Sequence, residues 1–451
     1  MAENTGGRGP ADADPADLVI RHAHVMPLDA AGTTFDDGWI AIAGGSVVGL
    51  GAEPPPEPAA ARTIDAGGRL VMPGMISGHT HSMDRSARGL DPGPTFPDWL
   101  MGVYYRSVLG HGPEDAARAA TLTARELLAA GVTTVVDCWG VGDPGTGRAR
   151  ECAEATIAAY RAAGIRVVLA VMVGDVAPLT MGHDALRMVG PTNAVLDQLS
   201  QLMARRHDPD GGVEIWPAPE LPEMASDDLW LGCAELAHRH GARITTHLHA
   251  SEPGAWADAD HTVRATERLA HLGVLDDLVG AHASHLDDGD VARLAHHAAG
   301  VVHCPSAAMA LAGSATPLAH LHGAGVPVGL GLDNPSLTAT ADALAELRVA
   351  VGWARASTGD QTWPTPEHGL AMATVLGARA IGRADRVGSI VVGGDADLLV
   401  VDTTGPHWWP PMRPERAFAL CARTEDIRTV IVAGRVVVDE RELLALGEPT
   451  G

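Results

Sequence analysis

Lysine is absent from this 451-residue chain, so all 32 basic residues are arginine. Against them stand 56 acidic residues, giving a formal net charge of −24. A surface so poor in positive charge repels phosphate backbones and anionic lipid, which argues against nucleic acid and membranes as partners. Cysteine is scarce as well. Cys138, Cys152, Cys233, Cys304 and Cys421 are odd in number and form no C-x-x-C pair. A disulfide framework and a thiolate zinc site are both excluded on that count. No apolar run is long enough to span a bilayer, and the opening MAENTGGRGPADADPADL lacks a charged-then-apolar signal pattern. The cytoplasm is the expected location. The 53 glycines and 31 prolines fall short of the level that marks low-complexity disorder.

The length suits one barrel of roughly 250 residues plus a small satellite domain. Residues 1–16 read as a loose tail. Short β-type runs follow up to residue 72, and a matching set returns from 386 to 451. These two ends are expected to assemble one small, β-sandwich-like domain. Between them, residues 73–385 alternate. Short apolar strands are expected at 70–76, 132–137, 166–173, 213–218, 243–249, 278–282, 300–304 and 326–332. Ala-rich helical stretches separate them, for example at 114–130, 150–163, 226–240, 288–298 and 338–356. Eight strand–helix alternations argue for an α/β fold, a TIM-type (β/α)₈ barrel.

Reactive residues of such a barrel belong at the C-terminal ends of its strands. Four clusters meet that test. His79 and His81 are two apart in an extended segment, so both imidazoles face one point. His247 and His249 repeat that spacing after the fifth strand, and Glu252 follows as a carboxylate placed to shuttle protons. His282 and His285 follow the sixth strand. Asp333 closes the apolar eighth strand, where a carboxylate must be paired, hydrogen-bonded or metal-bound. Three histidines and one aspartate suit zinc, iron(II) or manganese. His320 and His322 copy the spacing but fall in a helical stretch, where residues two apart diverge.

Taken in order, these segments resemble the amidohydrolase superfamily, in the branch of cytosine, guanine, 8-oxoguanine and adenosylhomocysteine deaminases and the triazine hydrolases. The resemblance rests on Pro73-Gly-Met-Ile-Ser-Gly-His79-Thr-His81, Arg88-Gly89-Leu90 with Trp99-Leu100, and His249-Ala-Ser-Glu252. It continues through Ala281-His282-Ala-Ser-His285-Leu286, Val302-His-Cys-Pro-Ser306, Gly329-Leu-Gly-Leu-Asp333 and the closing segment from Gly388 to Asp402. It implies that His79, His81, His249 and Asp333 hold one divalent ion, zinc above iron or manganese. Glu252 would then move protons, His282 would polarise substrate or hold the attacking water, and Asp333 would accept a proton from that water. His249 is preferred to His247 because the acid stands three residues later. Arg88, Trp99, His247, Trp216 and Met309 are the expected substrate contacts.

Members with two metal ions commonly bridge them with a carboxylated lysine, which this chain cannot supply. Glu220 is the one acid near that place, and its setting between Pro219 and Leu221-Pro222 reads as a loop. One ion is therefore expected.

The chain also departs from the family pattern. P-H-A-P-Y after the fourth strand is replaced by Trp216-Pro-Ala-Pro219-Glu220-Leu-Pro-Glu223. C-P-x-S-N-x-K-L is replaced by Cys304-Pro-Ser-Ala-Ala308-Met-Ala310-Leu. Groups that read a purine are lost, so guanine, 8-oxoguanine and adenosine are expected to be poor substrates.

The expected activity is hydrolysis of a non-peptide carbon–nitrogen bond, foremost deamination of a nitrogen heterocycle or cyclic amidine. The alternatives are cyclic amide opening, loss of a chloro or thio leaving group, a non-hydrolytic addition or elimination, and a non-catalytic binding barrel. A small-molecule substrate is the expected partner, with a homodimer left open.

Overall fold

The computed structural model describes residues 16–54, 60–91, 93, 95–177, 182–250, 263–311, 313–338 and 340–444. Eight strands build its central layer: β1 (Met75–Thr80), β2 (Val132–Trp139), β3 (Arg166–Val173), β4 (Val213–Pro219), β5 (Ile244–Leu248), β6 (Leu278–His282), β7 (Gly300–His303) and β8 (Val328–Leu330). β1 to β4 pair in sequence order as one sheet and β5 to β8 as a second, every ladder parallel. The strands are buried on both faces, as parallel sheets covered by crossover helices are. A parallel bridge from Thr80 to Asp333 joins the first strand to the end of the last. The core is thus barrel-like.

Helices fill the crossovers, and their ends carry the expected chemistry. Thr146 Oγ1 accepts from Ala149 N to open the helix Gly147–Ala163, and Ser226 Oγ accepts from Leu229 N to open Asp227–His240. Both helices end on a left-handed glycine, Gly164 and Gly241. No helix among the described residues is long and apolar enough to cross a membrane.

The segment expected as one strand over 70–76 is two. Leu70–Pro73 belongs to the terminal sheet and β1 begins at Met75. The chain changes sheets at Gly74, where a Cβ would lie 2.1 Å from Thr133 Oγ1, so only glycine makes the crossing.

The two chain ends form a single nine-stranded hydrogen-bonded sheet. Leu70–Pro73, from the N-terminal part, pairs antiparallel with Leu398–Val401, from the C-terminal part. Side-chain alternation divides these strands between two cores. Val71, Leu398 and Val400 pack with Ile20, Ile40, Ile42 and Ile431 in a small cluster. Leu70, Met72, Leu399 and Val401 face the other way, into the main core that the barrel strands fill. At the start of β3, the buried Arg166 guanidinium pins that junction. Its Nε and Nη2 donate to Asp397 at 3.1 Å each, and Asp395 lies 3.2 Å away.

Candidate active site

Three imidazoles converge above the C-terminal end of the barrel. His79 Nε2 and His81 Nε2 are 3.1 Å apart, and His81 Nε2 and His247 Nε2 are 3.1 Å apart. Asp333 Oδ1 lies 3.6 Å from His79 Nε2 and 3.7 Å from His81 Nε2. His282 closes the fourth side, its Nδ1 3.7 Å from Asp333 Oδ2. Ligand atoms of His79, His247 and His282 all lie within 4.8 Å of one another, as do those of His79, Cys304 and Asp333.

Local folding explains the convergence. His79 and His81 flank Thr80 at the end of β1 and share a face. The carbonyl of His79 accepts from Leu332 N at 2.9 Å and from Asp333 N at 3.0 Å, which brings the end of β8 beside them. That approach requires Gly331, since a Cβ there would meet Cys304 Sγ at 2.7 Å and His79 Cβ at 2.9 Å. His282 and Asp333 both take positive φ, +69° and +58°, as their strands turn over. Asp137 on β2 anchors the loop after β1, accepting from Ser82 N at 2.9 Å, Ser82 Oγ at 2.6 Å and Tyr160 Oη at 2.8 Å.

The electrostatics suit a cation. His247 Nδ1 donates to the Glu220 carbonyl at 2.6 Å, which leaves the lone pair of Nε2 facing the cluster. Burial pushes His247 down to about 3 and His282 down to about 4, and it holds His81 well below its ordinary range. Beside Asp333 and Cys138, His79 is raised to about 10. The imidazoles around Asp333 hold its carboxyl below the usual carboxylate range against the opposing effect of burial. Neither Asp333 oxygen has a hydrogen-bond partner among the described residues, although both are buried. Three imidazole nitrogens and a carboxylate with no hydrogen-bond partner among the described residues, aimed at one point, fit a divalent metal ion that would replace the proton His79 holds beside Asp333.

His249, expected as the third imidazole, stands apart. β5 ends at Leu248, and His249 takes a φ of +47°, so the two-residue alternation that would align it with His247 stops there. Its Nε2 points at Asp290, 3.8 Å from Oδ1. With His247 in the cluster, the residue three positions on is Ala250 rather than Glu252. Glu252 itself lies outside the described residues. The signal for His247 was available in the sequence: Ile-Thr-Thr-His-Leu carries the apolar and β-branched character of a strand, and Ala-Ser-Glu-Pro-Gly does not.

Beside the cluster is a small cavity lined by His81, His247, His282, Asp333 and Asn334 at one side. Phe96, Trp99, Leu100, Tyr104, Leu311 and Leu337 form its apolar wall, and Glu220 and Leu221 complete it. Trp99, expected as a substrate contact, is fixed there by its Nε1, which donates to Ser336 Oγ at 3.1 Å. Of the other expected contacts, His247 lines it as well, and Arg88, Trp216 and Met309 do not. Arg88 Nη2 donates to Glu126 Oε2 at 2.9 Å. Trp216 is fully buried, its Nε1 donating to Glu214 Oε2 at 3.0 Å. Met309 is 53% exposed. His303 is buried and bonded through Nδ1 to Thr316 Oγ1 at 2.8 Å, and His320 and His322 lie in the helix Leu318–Gly323.

Tyr104, Tyr105 and Cys138 carried no motif that would mark them. Glu220, expected in a loop, directly follows β4 and is only 4% exposed. Tyr105 Oη donates to its Oε1 at 3.1 Å, and burial pushes its carboxyl up to about 7.

Comparison with known proteins agrees with this architecture. Residues 70–437 match the model of the amidohydrolase family. The chain is 31% identical over 442 residues to a 5-methylthioadenosine/S-adenosylhomocysteine deaminase of Syntrophobacter fumaroxidans, covering 96% of this chain and 95% of that protein. It is similar to the crystal structure of an adenosine deaminase from Xanthomonas campestris with bound zinc, at 26% identity and a TM-score of 0.85, covering 96% and 95% of the two chains. In fold it is also similar to an atrazine chlorohydrolase from Arthrobacter aurescens complexed with zinc, at 24% identity and a TM-score of 0.88, covering 95% and 97%. The match over most of the chain and the cluster of metal-ligating side chains lead to one conclusion: the chain belongs to the amidohydrolase family and is a metal-dependent hydrolase.

Proposed function

We propose that the protein deaminates a nitrogen heterocycle by hydrolysis of a carbon–nitrogen bond. The observation that carries this reading is the meeting of three imidazole Nε2 atoms and the unpartnered Asp333 carboxylate at one side of an aromatic-walled cavity. His79, His81, His247 and Asp333 would hold one divalent ion, and zinc suits this donor set of three nitrogens and one oxygen. Bound there, the ion supplies the Lewis acidity that makes water a nucleophile near neutral pH.

The protein's own groups do the rest. Asp333 accepts a proton from the attacking water, its oxygens having no hydrogen-bond partner among the described residues. His282, 3.7 Å from Asp333 in the same cavity wall, polarises the substrate at the reacting carbon. Glu252, the acid in the segment after β5, carries a proton to the departing nitrogen so that ammonia leaves neutral. Phe96, Trp99 and Leu100 keep bulk water from the flat face of the substrate. The same reading closes the eight strands as a (β/α)₈ barrel. It is supported at one seam by the Thr80–Asp333 bridge and at the other by His247 N donating to Glu220 O at 3.3 Å. It takes 73–385 as the catalytic domain and 17–72 with 386–451 as the smaller one.

The experiment is an ammonia-release screen of amino-substituted heterocycles with zinc-loaded protein, beside metal-stripped protein and Asp333→Asn. Metal-dependent ammonia release lost in Asp333→Asn supports the proposal. Release of chloride or ring-opened product without ammonia contradicts it.

A further inference from the structure

Every polar group that the cavity sets opposite a substrate must be answered by that substrate, and here the inventory is lopsided. Among the described residues lining the cavity there is no arginine, and the chain has no lysine. There are two carboxyl groups, Asp333 among the imidazoles and Glu220 apart from them. Glu220 does not hang loosely: the carbonyl of the same residue holds the His247 ring, and Tyr105 Oη fixes Oε1. Among the described residues that tyrosine is the one side chain shown donating to it. Tyr104 Oη, also in the wall, is buried with no partner among the described residues. A buried carboxyl with so few donors is costly until a ligand brings some.

We propose that Glu220 selects the substrate, its carboxyl accepting N–H groups from an amino-substituted flat heterocycle that carries no anionic substituent. The proposal rests on the metal-centre reading for the position of the reacting carbon, and it adds what holds the far edge of the ring. Phe96, Trp99 and Tyr104 supply surfaces for a planar ring, and the imidazole cluster fixes one edge. Glu220 then pairs with the donors on the other edge. An analogue without those donors leaves the carboxyl unpaired, the situation in which sites discriminate most strongly. An anionic substituent meets Glu220 with no cationic side chain among the described lining residues to offset it.

Calorimetric binding to the zinc-loaded protein tests this without turnover. The probes are 2-aminobenzimidazole, its isostere 2-methylbenzimidazole, and benzimidazole-5-carboxylate, whose carboxylate cannot chelate the ion together with the ring nitrogen. All three keep the same ring nitrogen, so metal contact cancels in the comparison. Wild type is expected to bind the amine at least ~10-fold more tightly than the methyl analogue and to reject the carboxylate, since unpaired buried groups are what such a site penalises. Glu220→Gln is expected to bring amine and methyl within ~3-fold while zinc content and melting temperature stay at wild-type values, and Tyr105→Phe is expected to keep the preference. A wild type with no preference for the amine, or one that takes up the carboxylate, overturns the assignment whatever the variants do. So does an unchanged ratio in Glu220→Gln. A wild type that prefers the amine but releases no ammonia from any amino-heterocycle supports the role of Glu220 and contradicts the proposed reaction alone.

Discussion

His81 Nε2 and His247 Nε2 lie 3.1 Å apart although 166 residues separate them in the chain. With its Nδ1 donating to the Glu220 carbonyl, His247 offers a lone pair at Nε2 toward His81, and a cation between the two rings can take up both nitrogens. His247→Ala is therefore expected to lower metal affinity by at least ~100-fold, beyond what loss of an outer partner costs. His249→Ala is expected to keep a full equivalent. Metal analysis of the two purified variants, each with its unfolding curve, checks this; equal loss in both contradicts the ligand assignment.

Glu252 is assigned the proton to the leaving nitrogen. Glu252→Gln should retain metal and fold while losing roughly 10²–10⁴-fold in kcat, the usual worth of a general acid–base group. Near-normal turnover would move the role to another residue, with Asp333 the first candidate.

The Arg166–Asp397 pair joins the barrel to the terminal sheet. Arg166 is raised above its ordinary value because Asp397 and Asp395 outweigh the cost of its burial. Removing Asp397 takes away both short hydrogen bonds to the buried charge and leaves Asp395 alone to answer it. Asp397→Ala should lose about 3–5 kcal/mol of stability in a denaturant titration. A loss under about 1 kcal/mol, the range of a surface pair, would show that the junction does not depend on it.

Glu346 makes stability fall with rising pH. Its carboxyl is buried, accepts from Ser306 N at 2.9 Å and Ser306 Oγ at 2.5 Å, and is pushed by burial from 4.5 up to about 7. The folded state thus holds a proton that the unfolded chain releases above about 4.5. Its contribution is fully present below that pH and is lost as pH rises through about 7. Glu346→Gln should flatten the decline between pH 5 and 8 by roughly 1–3 kcal/mol. A slope identical to wild type's in matched urea titrations would remove Glu346 as its source.

Much of the fold was legible because apolar strands and Ala-rich helices alternate, and β2, β3, β4, β6 and β7 fall within a residue or two of where composition puts them. The break at Gly74 was not, because Leu-Val-Met-Pro-Gly-Met-Ile reads as one run and only Thr133, packed against the glycine, divides it. His79, His81, His282 and Asp333 were legible as residues that end strands. His249 is set apart from His247 for a backbone reason: equal spacing puts two histidines on one face only while the strand lasts, and it ends one residue before His249. Glu220 was masked by its prolines. Flanking Pro219 and Pro222 suggest a loop, and Glu220 does lie in the bend just past β4, but that bend lines the cavity.

The central claim is a single ion held by His79, His81, His247 and Asp333. Anomalous diffraction at the zinc edge, on crystals of protein purified with zinc and without chelator, tests it most directly. One peak within bonding distance of those four side chains, matched by about one equivalent in solution, is the expected result. Two peaks separated by roughly 3.5–4 Å, or one peak bound by His249 with His247 turned away, would contradict it.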